Sequence, residues 1–74
     1  MNSVAAKITV RVNDEPRTFA APVTLLDALR ELGLAERRGV AIAINDNVVP
    51  RAQWPTRGLA EGERVLVIQA TQGG

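Results

Sequence analysis

What this chain lacks does as much to define its chemistry as what it holds. Cysteine and histidine are both absent from its 74 residues. No thiolate nucleophile, imidazole base, disulfide or ordinary transition-metal site can be built from such a set. The groups left for reaction are hydroxyls, the single lysine Lys7, the N-terminus and the C-terminus. The sequence closes on Gly73-Gly74, which adds no packing and no charge but presents a carboxylate with minimal steric bulk. An α-carboxylate has a pKa of about 3.3–3.7 and is ionised at neutral pH. It is a poor electrophile and becomes an acyl donor only when activated, most commonly by ATP, with a partner enzyme and Mg²⁺ handling the phosphates. Glycine tolerates unusual φ values and close backbone approach, so Gly-Gly can thread a narrow channel into another protein. The alternative is a frayed, glycine-rich end of the kind common at termini.

The elements that would hold such an end are those of one small domain. A chain of this length buries only about 60% of its unfolded surface, enough for one helix on one sheet but not for a deep catalytic pocket. With one Phe, one Trp and no Tyr, the core must be built from Val, Ile, Leu and Ala. The net charge is +1, and Arg37-Arg38, the one basic doublet, reads as a solvated loop. No basic stripe with interleaved aromatics supports nucleic-acid binding. No apolar run approaches a membrane span, and Met1 to Lys7 lacks the apolar core of a signal peptide. The expected location is cytoplasmic, with no nucleic-acid or membrane partner. Asp14, Glu15, Asp46 and Asn47 lack metal-ligand spacing and read as turn residues.

Met1 to Ala6 is a loose lead-in. Lys7 to Val12 alternates polar and apolar, predicting a half-buried strand with Ile8, Val10 and Val12 inward. Asn13-Asp14-Glu15 is turn chemistry, and Arg17 to Ala20 returns as a second strand, with Pro16 at its start. Thr24 is placed as a helix N-cap with Asp27 at N3. Leu25, Leu26, Leu29 and Leu32 make an apolar stripe, and Gly33 supplies the left-handed residue that ends the helix. Val40 to Ile44 is a wholly apolar strand, Asn45-Asp46-Asn47 a turn, and Val48-Val49 a short strand ended by Pro50. Gln53 to Gly58 is irregular, Leu59 plugs the core, and Glu61-Gly62 turns into a final strand, Arg64 to Gln69, apolar on both faces. The order is β-β-α-β-β-β, a two-layer α+β domain with a mixed sheet of four to five strands packed on one helix. The last strand, apolar on both faces, belongs in the middle of the sheet and runs into a flexible tail, residues 70–74.

That plan, with a central last strand leaving into Gly-Gly, resembles the ubiquitin-like β-grasp. Within it the chain is similar to the ThiS family of sulfur carriers of thiamin biosynthesis. The resemblance rests on Ala43-Ile44-Asn45, on Val49-Pro50-Arg51 followed by Trp54, on Leu59-x-x-Gly62-Glu63-x-Val65, and on Gly73-Gly74. The Val-Pro-Arg-x-x-Trp string is its most specific part. Glu63 stands where the family often has Asp, and Gln72 where a small residue is more common. The resemblance spans nearly the whole chain after Lys7. It implies a single sulfur-carrier domain over 1–74 that is not itself an enzyme and binds no cofactor. Gly74 would be adenylated by an E1-like adenylyltransferase that uses ATP and Mg²⁺. It would be converted to a thiocarboxylate with sulfur from a donor such as a cysteine desulfurase system, and would pass that sulfur to thiazole synthase. Thr71, Gln72 and Gly73 would enter the partners' active sites with it. Other readings are a carrier for molybdopterin or another sulfur-transfer pathway, or an interaction module whose Gly-Gly is incidental.

The tail can do little of the docking by itself. Residues 70–74 reach roughly 17 Å when extended, at about 3.3–3.6 Å each. Ordering them costs about 1–2 kcal/mol per residue, so the folded body must supply most of the binding energy. Four residues are the candidates. Leu66 and Ile68 should face away from the helix, beside Ala41 and Ala43, as an apolar docking patch or as ordinary apolar surface. Trp54 is either an interface anchor or a lid over a small core. Arg51 either meets a partner carboxylate or pairs with the acidic turn at Glu61 and Glu63.

Overall fold

Asn13 and Asp14 take positive φ of 51° and 70°, the two-residue turn whose twist suits a hairpin. It joins β1 (Lys7–Val12) to β2 (Glu15–Ala20) in antiparallel register, with Val12 opposite Glu15 and Ile8 opposite Phe19. β2 begins two residues earlier than the sequence suggests, because so tight a turn brings Glu15 and Pro16 directly into pairing. Pro16 is tolerated because β2 is an edge strand. This computed structural model describes residues 6–70.

Helix α1 spans Leu25–Glu31. The Thr24 hydroxyl accepts the Asp27 N–H at 3.1 Å, and the Asp27 carboxylate accepts the Thr24 N–H at 3.2 Å, a reciprocal capping box. The Leu25 and Leu26 N–H groups donate to the carbonyls of Arg57 and Trp54, so the first turn leaves few donors unpaired. Gly33, at φ 75°, follows the C-cap Leu32. Leu25, Ala28 and Leu29 are the buried residues, the i, i+3, i+4 face of a short helix. Leu26 lies about 100° around the axis from Leu25, and Leu32 falls at the C-cap, so both are only half-buried.

β3 (Val40–Ile44) and β4 (Asn47–Val49) form a second hairpin over Asn45 and Asp46, at φ 49° and 73°. Pro50 ends it and leads into a 3₁₀ turn, Arg51–Gln53, which the irregular composition of this stretch did not reveal. β5 (Arg64–Gln69) closes a five-stranded mixed sheet in the order β2-β1-β5-β3-β4. It lies parallel to β1 and antiparallel to β3. The core between sheet and helix includes Val10, Phe19, Leu25, Leu29, Ile42, Ile44, Leu59 and Val65. Ala6 is not loose at its carbonyl, which accepts the Ala21 N–H at 2.8 Å.

Candidate functional site

The last strand sits at the centre of the sheet, as its two apolar faces predict. Val65 is buried against the helix layer and Val67 is half-buried beside it. Leu66 and Ile68 lie on the opposite face and are 48% and 51% exposed. Register places Ala43 beside Leu66, Ala41 beside Ile68, and Val48 of the edge strand beside Ala43. Val48 is 74% exposed. Among the described residues these three are the large apolar side chains left to solvent, and all three share one face. The expectation for Leu66 and Ile68 thus holds in geometry, and Val48 joins them. Val48 was not foreseen because a two-valine strand before a proline does not show which of its residues faces out.

Two hairpin turns hold β5 at its start. The Asn45 N–H donates to the Arg64 carbonyl and the Arg64 N–H to the Asn45 side-chain oxygen, each at 2.9 Å. On the other side the Asn13 N–H donates to the Val65 carbonyl at 2.9 Å, and the Val67 N–H donates to the Asn13 side-chain oxygen at 2.8 Å. At the far end the Ala70 N–H donates to the Gly39 carbonyl at 2.8 Å, which keeps the strand paired to the root of the tail. Gly39 has φ 73°, and a Cβ there would lie 3.3 Å from that of Ala70. Thr71, Gln72, Gly73 and Gly74 lie outside the described residues.

Trp54 is not available for docking. It is 1% exposed, and its indole N–H donates to the Val49 carbonyl at 3.0 Å. Of the two readings, the lid over the core is correct: the 3₁₀ turn swings the ring inward, and the Val49 carbonyl satisfies its one polar atom. Arg51 does not pair with Glu61 or Glu63. Its guanidinium donates to the Ala35 and Arg37 carbonyls, each at 3.1 Å, and lies 4.4 Å from the Trp54 ring centroid. Three residues along a 3₁₀ turn, Arg51 stacks on the tryptophan and ties down the loop after α1. The Val-Pro-Arg-x-x-Trp string is therefore a structural clasp within this domain.

The acidic turn has other partners. Glu61 accepts the Thr9 N–H at 2.9 Å. Glu63 accepts from Arg57 and from the Ala60 N–H, each at 2.9 Å. Burial pushes the Glu63 carboxyl up, but the hydrogen bonds from Arg57 and Ala60 and the guanidinium charge outweigh it and hold its pKa below the usual carboxylate value. The pairing of Arg57 with Glu63 has no local signal, since an Arg in an irregular stretch can reach many carboxylates. Next to Leu66, a cleft of about 200 Å³ is lined by Arg11, Asn13, Asp14, Asp46 and Arg64 among others. There Arg64 pairs with Asp46 at 3.0 Å. Among the described residues no three His, Cys, Asp or Glu side chains gather as metal ligands, and no helix is long and apolar enough to cross a membrane.

A five-stranded mixed sheet wrapped on one helix, with the last strand central and leading into a glycine pair, defines a β-grasp domain of the carrier type. The model of the ThiS family matches residues 10–74, and the chain belongs to that family. It is 36% identical over 62 residues to the sulfur carrier protein ThiS of Escherichia coli, covering 84% of this chain and 92% of that one. It is 37% identical over 65 residues to the sulfur carrier protein ThiS of Thermus thermophilus, covering 88% and 98%. The fold matches the crystal structure of the thiamine biosynthesis protein ThiS from Geobacter metallireducens with a TM-score of 0.77, at 23% identity, over 90% of this chain and all of that one.

Proposed function

We propose that this protein is a sulfur carrier in thiamin biosynthesis and that Gly74 is the residue that carries the sulfur. The observation that supports this most directly is the family match, which runs through Gly73-Gly74. The carboxylate of Gly74 attacks the α-phosphate of ATP on an E1-like adenylyltransferase. Pyrophosphate leaves, and an acyl-adenylate forms. The outer sulfur of a persulfide, delivered by a donor such as a cysteine desulfurase system, attacks the acyl carbon and AMP leaves. A thiol then cleaves the resulting acyl disulfide, ending in an ordinary disulfide itself and leaving a thiocarboxylate on Gly74. Thiazole synthase then takes that sulfur into the thiazole ring. Beyond the Gly74 carboxylate the carrier supplies no acid, base or nucleophile to these steps, and its chain contains neither Cys nor His. ATP and Mg²⁺ are bound by the activating partner. Gln72 and Thr71 lead Gly73 and Gly74 into the partners' active sites, and Leu66 and Ile68, joined by Val48, form the body's docking patch.

Intact mass of the protein with an untagged C-terminus tests the reading. Incubation with ATP, a sulfur source and the activating enzyme encoded in the same genome should exchange one oxygen for sulfur at Gly74. Deletion of Gly74 should abolish the exchange. An unchanged mass, with an enzyme shown to be active on another carrier, would reject it.

A further inference from the structure

Residues of β5 alternate in the side to which their backbone groups point. Arg64 bonds to Asn45 just after β3 and Ala70 to the Gly39 carbonyl just before it, so even-numbered residues face β3. Glu63 and Val65 accept from Arg11 and Asn13, so odd-numbered residues face β1. β1, however, stops at Val12 and pairs only with Arg64 and Val65. The Asn13 side chain takes the Val67 N–H, and there the pairing on this side ends. The Val67 carbonyl and both backbone groups of Gln69 have no partner among the described residues. A central strand thus becomes an open edge over its last three residues, just before the tail.

We propose that this edge, Val67 to Gln69 on the β1 side, pairs with an extended segment of the enzyme that activates Gly74. The proposal rests on the carrier reading. Three points argue for that occupant. An acceptor, a donor and a second acceptor spaced along one strand are matched by another extended backbone rather than by a helix or a small molecule. The edge is continuous with the tail, so a segment paired here would run on beside residues 71–74 and fix how far Gly74 projects. Leu66 and Ile68 flank it on the exposed face, so the same partner can cover both. Exposed edges attract strands, and this one opens only beyond the end of β1, while β5 stays paired to β3.

Gln69→Pro isolates the interaction. It removes an N–H that faces away from β3, so the ladder to β3 stays whole, and proline is tolerated on an open edge. Gln69→Ala serves as the reference for loss of the side chain. Relative to Gln69→Ala, Gln69→Pro should lower kcat/KM for adenylation by at least about fivefold, the scale of one lost hydrogen bond. Equal values for the two variants would overturn the proposal. In the wild-type protein, hydrogen exchange at the Gln69 amide should be fast when free and slowed when bound to the activating enzyme. An amide that stays unprotected in the complex would overturn it without any reliance on a variant. If the wild-type protein is not adenylated at all, the carrier reading fails and this proposal falls with it. Adenylation of wild type with no change at Gln69 leaves the carrier reading standing and removes only the paired edge.

Discussion

The side-chain oxygen of Asn13 lies 2.8 Å from the Val67 amide nitrogen, so a hairpin turn continues a ladder that its own strand has left. Asn13 has two tasks: it adopts φ 51° in the turn and it accepts this bond. Two substitutions separate them. Asn13→Gly keeps the turn and should cost about 0.5–1.5 kcal/mol, the net value of one hydrogen bond. Asn13→Ala also strains the backbone and should cost about 1–2 kcal/mol more. Urea denaturation measures both, and the Val67 amide should exchange faster in each. Equal stability of the two variants would mean that the turn does not constrain this residue.

Trp54 is the largest fully buried side chain. Trp54→Ala should cost about 3–5 kcal/mol, a large share of what holds a domain of this size. Trp54→Phe keeps much of the ring volume but loses the indole hydrogen bond to the Val49 carbonyl, and should cost about 0.5–1.5 kcal/mol. Chemical denaturation followed by circular dichroism reads these losses. A Trp54→Ala protein with the wild-type midpoint would contradict the core assignment and reopen the tryptophan as a contact residue.

The sequence announced those features whose causes are local. Thr24 and Asp27 sit three apart before a leucine run, and the capping box forms where that spacing puts it. Gly33 ends the helix because it alone in that stretch accepts a left-handed backbone without strain. The apolar doublets of Arg64 to Gln69 placed β5 at the sheet centre, and the period of two placed Leu66 and Ile68 on the outer face. The features decided by distant parts of the chain were not legible. Trp54 could be read either way until the 3₁₀ turn fixed the direction of its ring. Arg51 found two carbonyls in the loop after α1 rather than a carboxylate, and Glu63 found Arg57. The bond from Val67 to Asn13 spans most of the chain, and nothing near either residue signals it.

Glu63 gives the fold a pH dependence of known sign. Its folded pKa lies below the ordinary value, and an unfolded Glu titrates near about 4.3. As pH falls past that value the unfolded chain takes up the proton first. The stabilisation from this carboxylate is therefore complete above about pH 4.3 and is lost as pH falls through the folded pKa. Glu63→Gln should be less stable than wild type at neutral pH, and the gap should narrow in acid. Urea midpoints measured from neutral pH down into the acid range below the unfolded pKa test this. A gap that stays constant across the range would assign the loss to packing rather than to charge.

Leu66 offers the cleanest separation of fold from partner binding. Its side chain projects from the central strand into solvent, with Ala43 and Val48 beside it on β3 and β4. Leu66→Asp exposes no core and leaves the backbone ladder intact, so it should cost no more than about 1 kcal/mol, the span of strand propensities. Its effect on docking should be far larger. A carboxylate pressed against an apolar partner surface must lose its hydration without a counter-charge, which is strongly unfavourable. Adenylation kcat/KM should fall by about tenfold or more, equivalent to about 1.4 kcal/mol or more of lost binding. Ile68→Asp should act in the same direction, because the register with Ala41 places it one step nearer the tail on the same face. Thermal denaturation and adenylation kinetics on the same preparations decide the matter. Normal kinetics in a folded Leu66→Asp protein would remove this face from the docking surface, whereas a marked loss of stability would show that Leu66 supports the sheet more than its exposure suggests.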